Sequence, residues 1–156
     1  MSHIHDKIDF TVSAYIVHED KVLLRRHEKY HQWYAVGGHI ELNEDPIEGV
    51  YREVEEETGL RVKIIADPVL DFSEESQDLQ LPIAINRHFV GSEQHEHVDL
   101  VYATSTSTAE IKPQEGEASD PKDFRWLTAA EVESLDDIKP RVKHYALLAL
   151  KKAQNQ

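Results

Sequence analysis

Residues 45–59 fix their own local structure. Asp45-Pro46-Ile47-Glu48 is a complete helix start: an aspartate cap, proline in the first turn, and a glutamate placed to close the capping box. Gly59 follows Thr58 as a stop. The pattern predicts a helix over about 46–58, and the rest of the chain must pack around it. At about 100° per residue, Ile47, Val50, Tyr51, Val54 and Thr58 fall on one stripe, which should face the core. Glu53, Glu56 and Glu57 stand at i, i+3 and i+4 on a neighbouring face, and Arg52 lies four residues from both Glu48 and Glu56, placed to bridge them.

The segment 37–60 holds eight acidic residues. Carboxylates crowded on one helix face repel by about 1 kcal/mol or more per close pair even at a high effective dielectric. A hard divalent cation with oxygen ligands, magnesium or manganese, relieves that repulsion. A solvated helix face is the ordinary explanation of such a cluster. Gly49 costs the helix about 1 kcal/mol relative to alanine and leaves room for a ligand or for close packing.

The flanking sequence supplies strands. "DFTVSAYIVHEDKVLLRRH" predicts two, about 9–18 and 21–27, joined by a tight turn at "HED". "RVKII" (61–65) is expected as another. "PIAINRHFVG" and "HVDLVYATS" read as two more, with "SEQHE" between them as the connection. "DFSEESQDLQ" and "EIKPQEGEASDPKD" are expected as acidic loops. "FRWL" is a short strand, Thr128 and Glu131 open a helix with a capping box, and Pro140 starts a terminal helix. On that last helix Val142, Tyr145, Leu148 and Ala149 are expected on one side. Mixed strands and helices make an α/β or α+β fold, and the absence of repeats or linkers points to one domain over 1–156.

The net charge of −13 opposes nucleic acid, whose non-specific binding depends on lysine and arginine. An anionic substrate then needs a local reversal of sign, from a bound cation or from a patch such as "RRH" at 25–27. The chain has no cysteine, so thiolate metal sites and thiol nucleophiles are excluded. Without a signal-like amino terminus or a long apolar run, a cytoplasmic protein with no membrane span is expected, as monomer or homodimer.

Gly38, Glu44, Arg52-Glu53, Val54, Glu56-Glu57, Gly59 and Leu60 together resemble the Nudix box, over residues 38–60. Seven of these, Val54 and Leu60 set aside, are fixed identities, and at about 6% each they coincide by chance on the order of 10⁻⁹ per starting point. The protein is therefore similar to the Nudix hydrolases, MutT-like enzymes with an α/β/α sandwich and a mixed β-sheet. The resemblance implies magnesium-dependent hydrolysis of a nucleoside diphosphate linked to another moiety. It implies metal ligation by Glu53, Glu56, Glu57 and the Gly37 carbonyl, orientation of glutamates by Arg52, and support of the loop by Glu44. For the general base Glu53 comes first and Glu56 or Glu57 second inside the box. Outside it stand Glu96, Glu93 and Glu117, with Glu96 favoured. One difference is that Ala35-Val36 precedes the two glycines, where many members place proline.

In "HEHVD", His95, His97 and Asp99 would share one face of a strand while Glu96 points the other way. A polar outer face is the plain expectation, and a wall of the substrate or metal cleft is the functional one. Trp33, Tyr34 and Phe72 are candidates for stacking on a base, Trp126 belongs to the core, and "SHIH" reads as a solvated tail. The substrate expected is a nucleoside triphosphate or a small nucleotide sugar. A catalytically silent nucleotide-sensing module is the alternative. A cysteine-dependent isomerase of the same fold is ruled out by composition, and RNA decapping is disfavoured by charge.

Overall fold

The computed structural model describes residues 3–156, apart from the side chains of residues 92 and 93. Among the described residues, ten strands and three α-helices follow one another. They are β1 (Ile8–His18), β2 (Lys21–His27), β3 (Gln32–Tyr34), β4 (Val36–His39), α1 (Pro46–Thr58), β5 (Lys63–Ile64), β6 (Asp71–Ser73), β7 (Ser76–Gln77), β8 (Ala84–Val90), β9 (Ser92–Ser105), β10 (Phe124–Thr128), α2 (Ala129–Ser134) and α3 (Pro140–Gln154). The main sheet runs β10-β2-β1-β9-β5, with β3 on β2, β4 on β1 and β8 on β9. The β1–β9 pair is parallel and the other pairs are antiparallel, so the sheet is mixed.

Alternation along the central strands builds two apolar layers. Val12, Ala14 and Ile16 of β1 join Tyr102 of β9 beneath Val50 and Val54 of α1. Tyr15 and Val17 join Val101 and Ala103 on the opposite face, under Val132 of α2 and Val142, Ala146, Ala149 and Leu150 of α3. The result is an α/β/α sandwich.

Helix α1 occupies the span expected. Asp45 accepts from the amides of Ile47 and Glu48, and the Glu48 carboxylate returns to the Asp45 amide. Gly59, left-handed at φ 70°, ends the helix, and its missing Cβ admits the Lys112 carbonyl. The buried stripe differs from the predicted one. Tyr51 is 39% exposed, whereas Glu53 and Glu57 are only 4% and 9% exposed. The physical reason lies in β4: Gly37 and Gly38 present no side chains, so the helix turns its carboxylate edge inward. A Cβ on Gly38 would lie 2.3 Å from the Glu53 carboxylate. Gly49 serves close packing, against Glu44 and Val12.

Five other expectations change. The strand predicted at 61–65 is reduced to Lys63–Ile64, with the Ile65 amide still donating to the Ala103 carbonyl at 2.8 Å. "SEQHE" is strand rather than connection, because Gly91 at φ 60° turns the chain within one residue and β9 starts at Ser92. The loop after residue 70 contains the small β6–β7 hairpin. On α3 the buried side is Val142, Ala146, Ala149 and Leu150, leaving Tyr145 and Leu148 half-buried. Trp126, expected in the core, is half-buried against the α1-side layer and donates its ring N–H to the Ala109 carbonyl. No helix among the described residues is long and apolar enough to cross a membrane.

Replacing Asp45 with alanine removes both cap bonds and should cost about 1 kcal/mol. For a domain of this size that lowers Tm by about 2–4 °C. An unchanged Tm in a thermal melt would mean that packing alone holds the start of α1.

Candidate active site

Arg52 organises the carboxylates of α1. Its Nε and one Nη grip the Glu44 carboxylate at 2.7 and 3.0 Å, and the same Nη donates to the His39 carbonyl at 2.8 Å. The other Nη donates to Glu53 at 2.8 Å and to Glu56 at 3.2 Å. Glu44 also accepts from the Glu41 amide at 2.9 Å. The bridge from Arg52 to Glu48 expected from helical spacing does not form, because Glu48 is engaged in capping at Asp45.

Glu53 and Glu57 are buried side by side, and Glu56 is half-exposed. Burial raises the Glu53 carboxyl above its ordinary range, with Arg52 opposing. Glu57 is pushed up to about 8, first by burial and then by the negative charge of Glu53, while Arg25 and the Gly37 amide pull the other way. Arg25 stands 4.0 Å from Glu57. Two buried carboxylates with so little positive charge between them form a set of oxygen donors suited to a hard divalent cation.

Glu57 also reaches a cavity of about 620 Å³, whose wall includes Gly37, Gly38 and His39. Arg25, Lys139 and Arg141 line it as cations, and Tyr30, Tyr34 and Tyr145 as aromatics. Arg25 Nε and His27 Nδ1 are buried there without hydrogen-bond partners among the described residues. Of the "RRH" patch, Arg25 faces this space while Arg26 pairs outward with Asp137 at 3.2 Å. Lys139 and Arg141, both missed in the sequence, carried one signal. Cations in the first turn of a helix oppose the helix dipole and call for another reason to be there. Tyr34 lines the cavity, Trp33 is core, and Phe72 is exposed.

The carboxylates outside α1 divide. Glu96 is held by Arg87 in a two-pronged pair, one contact at 2.8 Å, which lowers its pKa; it does not line the cavity. Glu117 lies close enough to raise both Glu53 and Glu57 electrostatically. Its loop is docked on the end of α1 through the Lys112 and Gln114 amides, bonded to the Thr58 and Glu56 carbonyls at 2.7 and 2.9 Å. The side chain of Glu93 lies outside the described residues.

The register placing His95, His97 and Asp99 together is the observed one, but their face is not a polar exterior. His95 and Asp99 are buried, and Asp99 accepts from Thr11 at 2.8 Å and Ser13 at 2.7 Å. His97 and Asp99 line the cavity. The amino-terminal stretch is exposed at His3, as expected of a solvated tail, yet the His3 ring lies against that of His95, centroids 3.6 Å apart and planes tilted by 38°.

Comparison with known proteins gives a consistent picture. A family model described as "NUDIX domain" matches residues 7–148. A crystal structure of a NUDIX-family hydrolase from Clostridium perfringens superposes with a TM-score of 0.80 at 35% identity, covering 92% of this chain and 96% of that one. A MutT NUDIX hydrolase from Burkholderia pseudomallei shares the fold at a TM-score of 0.60 and 17% identity, covering 94% and 98%. A probable DHNTP pyrophosphohydrolase from Lactococcus lactis subsp. cremoris (strain MG1363) is 26% identical over 117 residues, which is 75% of this chain. The matched region spans 63% of that relative's length.

The raised Glu57 carboxyl has a consequence for stability. The folded protein keeps this proton up to about pH 8, whereas the unfolded chain loses it near 4.5. The associated stability is therefore full below pH 4.5 and lost as pH rises toward 8. After chelator treatment, Glu57→Gln should unfold at higher Tm than the parent at pH 8, with the gap closing near pH 5. Parallel melting curves across that range would contradict the buried, protonated Glu57.

Proposed function

Because the chain belongs to the Nudix hydrolase family, we propose that it is a magnesium-dependent pyrophosphohydrolase, working as one domain in the cytoplasm, as a monomer or homodimer. Its substrate is a nucleoside diphosphate linked to another moiety, a nucleoside triphosphate or a small nucleotide sugar. The observation that carries this reading is the meeting of buried Glu57, which sits beside Glu53 on α1, with a cavity walled by Arg25, Lys139 and Arg141. The relative's printed pyrophosphohydrolase name supports the bond type.

Glu53, Glu56, Glu57 and the Gly37 carbonyl would hold the cation. When bound, it supplies neutralisation of the pyrophosphate and a water of lowered pKa. Arg25 Nε is an unpartnered donor suited to a phosphate oxygen, and the His27 ring stands beside the same space. Tyr30 and Tyr34 offer rings to the moiety beyond the phosphates. Arg52, fixed by Glu44, holds Glu53 in place to accept the proton of the attacking water. The water oxygen bonds to phosphorus as the bridging P–O bond breaks and the leaving phosphate departs with that electron pair. Glu53 is preferred as base because burial raises its pKa and so makes it the stronger proton acceptor. Of the outside carboxylates, Glu117 has the better position, and Glu96 is already neutralised by Arg87.

Glu53→Gln should lower kcat by about 10²–10⁴ in a panel of nucleotides assayed with magnesium. Hydrolysis in ¹⁸O-labelled water should place label in a phosphate product. Label on a sugar carbon, or tight nucleotide binding by the parent protein with no turnover across the panel, would reject the hydrolase reading. The second outcome would favour a silent sensing module.

A further inference from the structure

Asp9 is buried at the start of β1, and histidines surround it. Its Oδ1 accepts from the His5 amide at 2.7 Å, and its Oδ2 from the Ile4 amide at 3.3 Å, so the amino-terminal arm wraps this carboxylate. Three imidazoles converge on the same Oδ2: His3 Nδ1 at 3.3 Å, His39 Nε2 at 3.1 Å and His95 Nε2 at 3.2 Å. The ligand atoms of His3, Asp9, His95 and His97 all lie within 4.8 Å of one another. Strand pairing sets this up, because Asp9 on β1 is the direct parallel partner of His97 on β9.

Hydrogen bonding accounts for only part of the arrangement, chiefly the contact of His3 Nδ1 with Asp9 Oδ2 at 3.3 Å. His95 Nδ1 contacts the Asp6 carbonyl at 3.3 Å, and a carbonyl can only accept, so Nδ1 carries the proton. In the neutral ring, Nε2 then presents a lone pair toward a carboxylate oxygen. His95 is 5% exposed, and the Nε2 atoms of His39, His95 and His97 are buried without hydrogen-bond partners among the described residues. Lone pairs facing a carboxylate in a buried space repel until a proton or a metal cation lies between them, and burial disfavours the protonated, charged form of His39 and His97. An imidazole fixed by a carbonyl on its far nitrogen is also the usual outer support of a metal-ligating histidine.

We infer that His3, Asp9, His95 and His97 form a second cation site, built for a borderline d-block ion such as Zn²⁺ and separate from the carboxylates of α1. Three nitrogens and one carboxylate oxygen suit zinc, whereas magnesium prefers oxygen ligands alone. In a tetrahedron with Zn–N of about 2.0 Å the ligand atoms stand about 3.3 Å apart, close to the contacts already made to Asp9. Four protein ligands close the coordination sphere, which is the pattern of a structural site. The ion would staple the amino-terminal arm to β1 and β9. His39, beside it, would couple it to the cavity, since the His39 carbonyl also accepts from Arg52.

The test is Zn²⁺ titration of the chelator-stripped full chain by calorimetry, with Mg²⁺ in large excess to fill the carboxylate site. One Zn²⁺ per chain should bind, and the same protein with Co²⁺ should show the intense visible absorption of a tetrahedral nitrogen-containing site. His95→Ala/His97→Ala should abolish binding, whereas Glu56→Gln/Glu57→Gln should retain it. His3→Ala, on the half-exposed arm where folding is not at stake, should weaken binding at least tenfold. The inference is overturned if no Zn²⁺ binds in the presence of Mg²⁺. It is equally overturned if binding follows Glu56 and Glu57 rather than the histidines, or if His3→Ala leaves affinity unchanged.

Discussion

The parallel pairing of β1 with β9 is the constraint on which the rest rests. It runs from Ile8 opposite Glu96 to Val17 opposite Ser105, between segments about 88 residues apart in the chain. Because side chains alternate, this one register assigns every residue of both strands to a layer. Val12, Ala14 and Tyr102 are directed to α1, and Tyr15, Val101 and Ala103 to α3. The same register puts Asp9 beside His97, and Asp99 within reach of Thr11 and Ser13. A slip of one residue would send the histidines and Asp99 to the α1 side and expose the apolar set. Core and polar sites are thus specified by a single choice.

Electrostatics in this acidic chain is local. Four carboxylates, Glu44, Glu53, Glu56 and Glu57, gather near Arg52, yet Arg52 reaches only the first three through hydrogen bonds. Two of its bonds go to Glu44 and one to the His39 carbonyl, so the guanidinium is held rigidly between the β4 end and α1. Its planar fork suits this, and a lysine could not replace it. Glu57 lies beyond its reach, 4.0 Å from Arg25, and faces the cavity. The cavity answers with cations drawn from β2 and the start of α3. A protein of net charge −13 can accept an anion there because the field is set by these neighbours, not by the total.

Glycine makes this geometry feasible at two positions. At Gly38 any side chain would collide with the Glu53 carboxylate, and at Gly37 with the Val12 carbonyl. The pair lets α1 settle on β4 with its acidic edge inward. A strand with ordinary side chains would have lifted the helix and left those glutamates in solvent, where their repulsion would be screened and their pKa values ordinary.

Local signals were legible in the sequence because they depend on neighbours in the chain. The span of α1, both of its caps, the β1–β2 hairpin and the start of α3 could be read from spacing alone, and so could the alternation that groups His95, His97 and Asp99. The box residues pointed to the family for the same reason, since their spacing is itself a local pattern. The burial of Glu53 and Glu57 could not be read, because helical periodicity says nothing about what the facing strand lacks. Tyr30, Lys139 and Arg141 had no visible link to α1 until the sheet brought them to one cavity. His3, in an unremarkable polar stretch, met Asp9 and His95 only through a parallel register that no short-range pattern encodes. Sequence determined the elements and their chemistry; tertiary structure decided which carboxylates and imidazoles lose their water, because desolvation depends on long-range contacts alone.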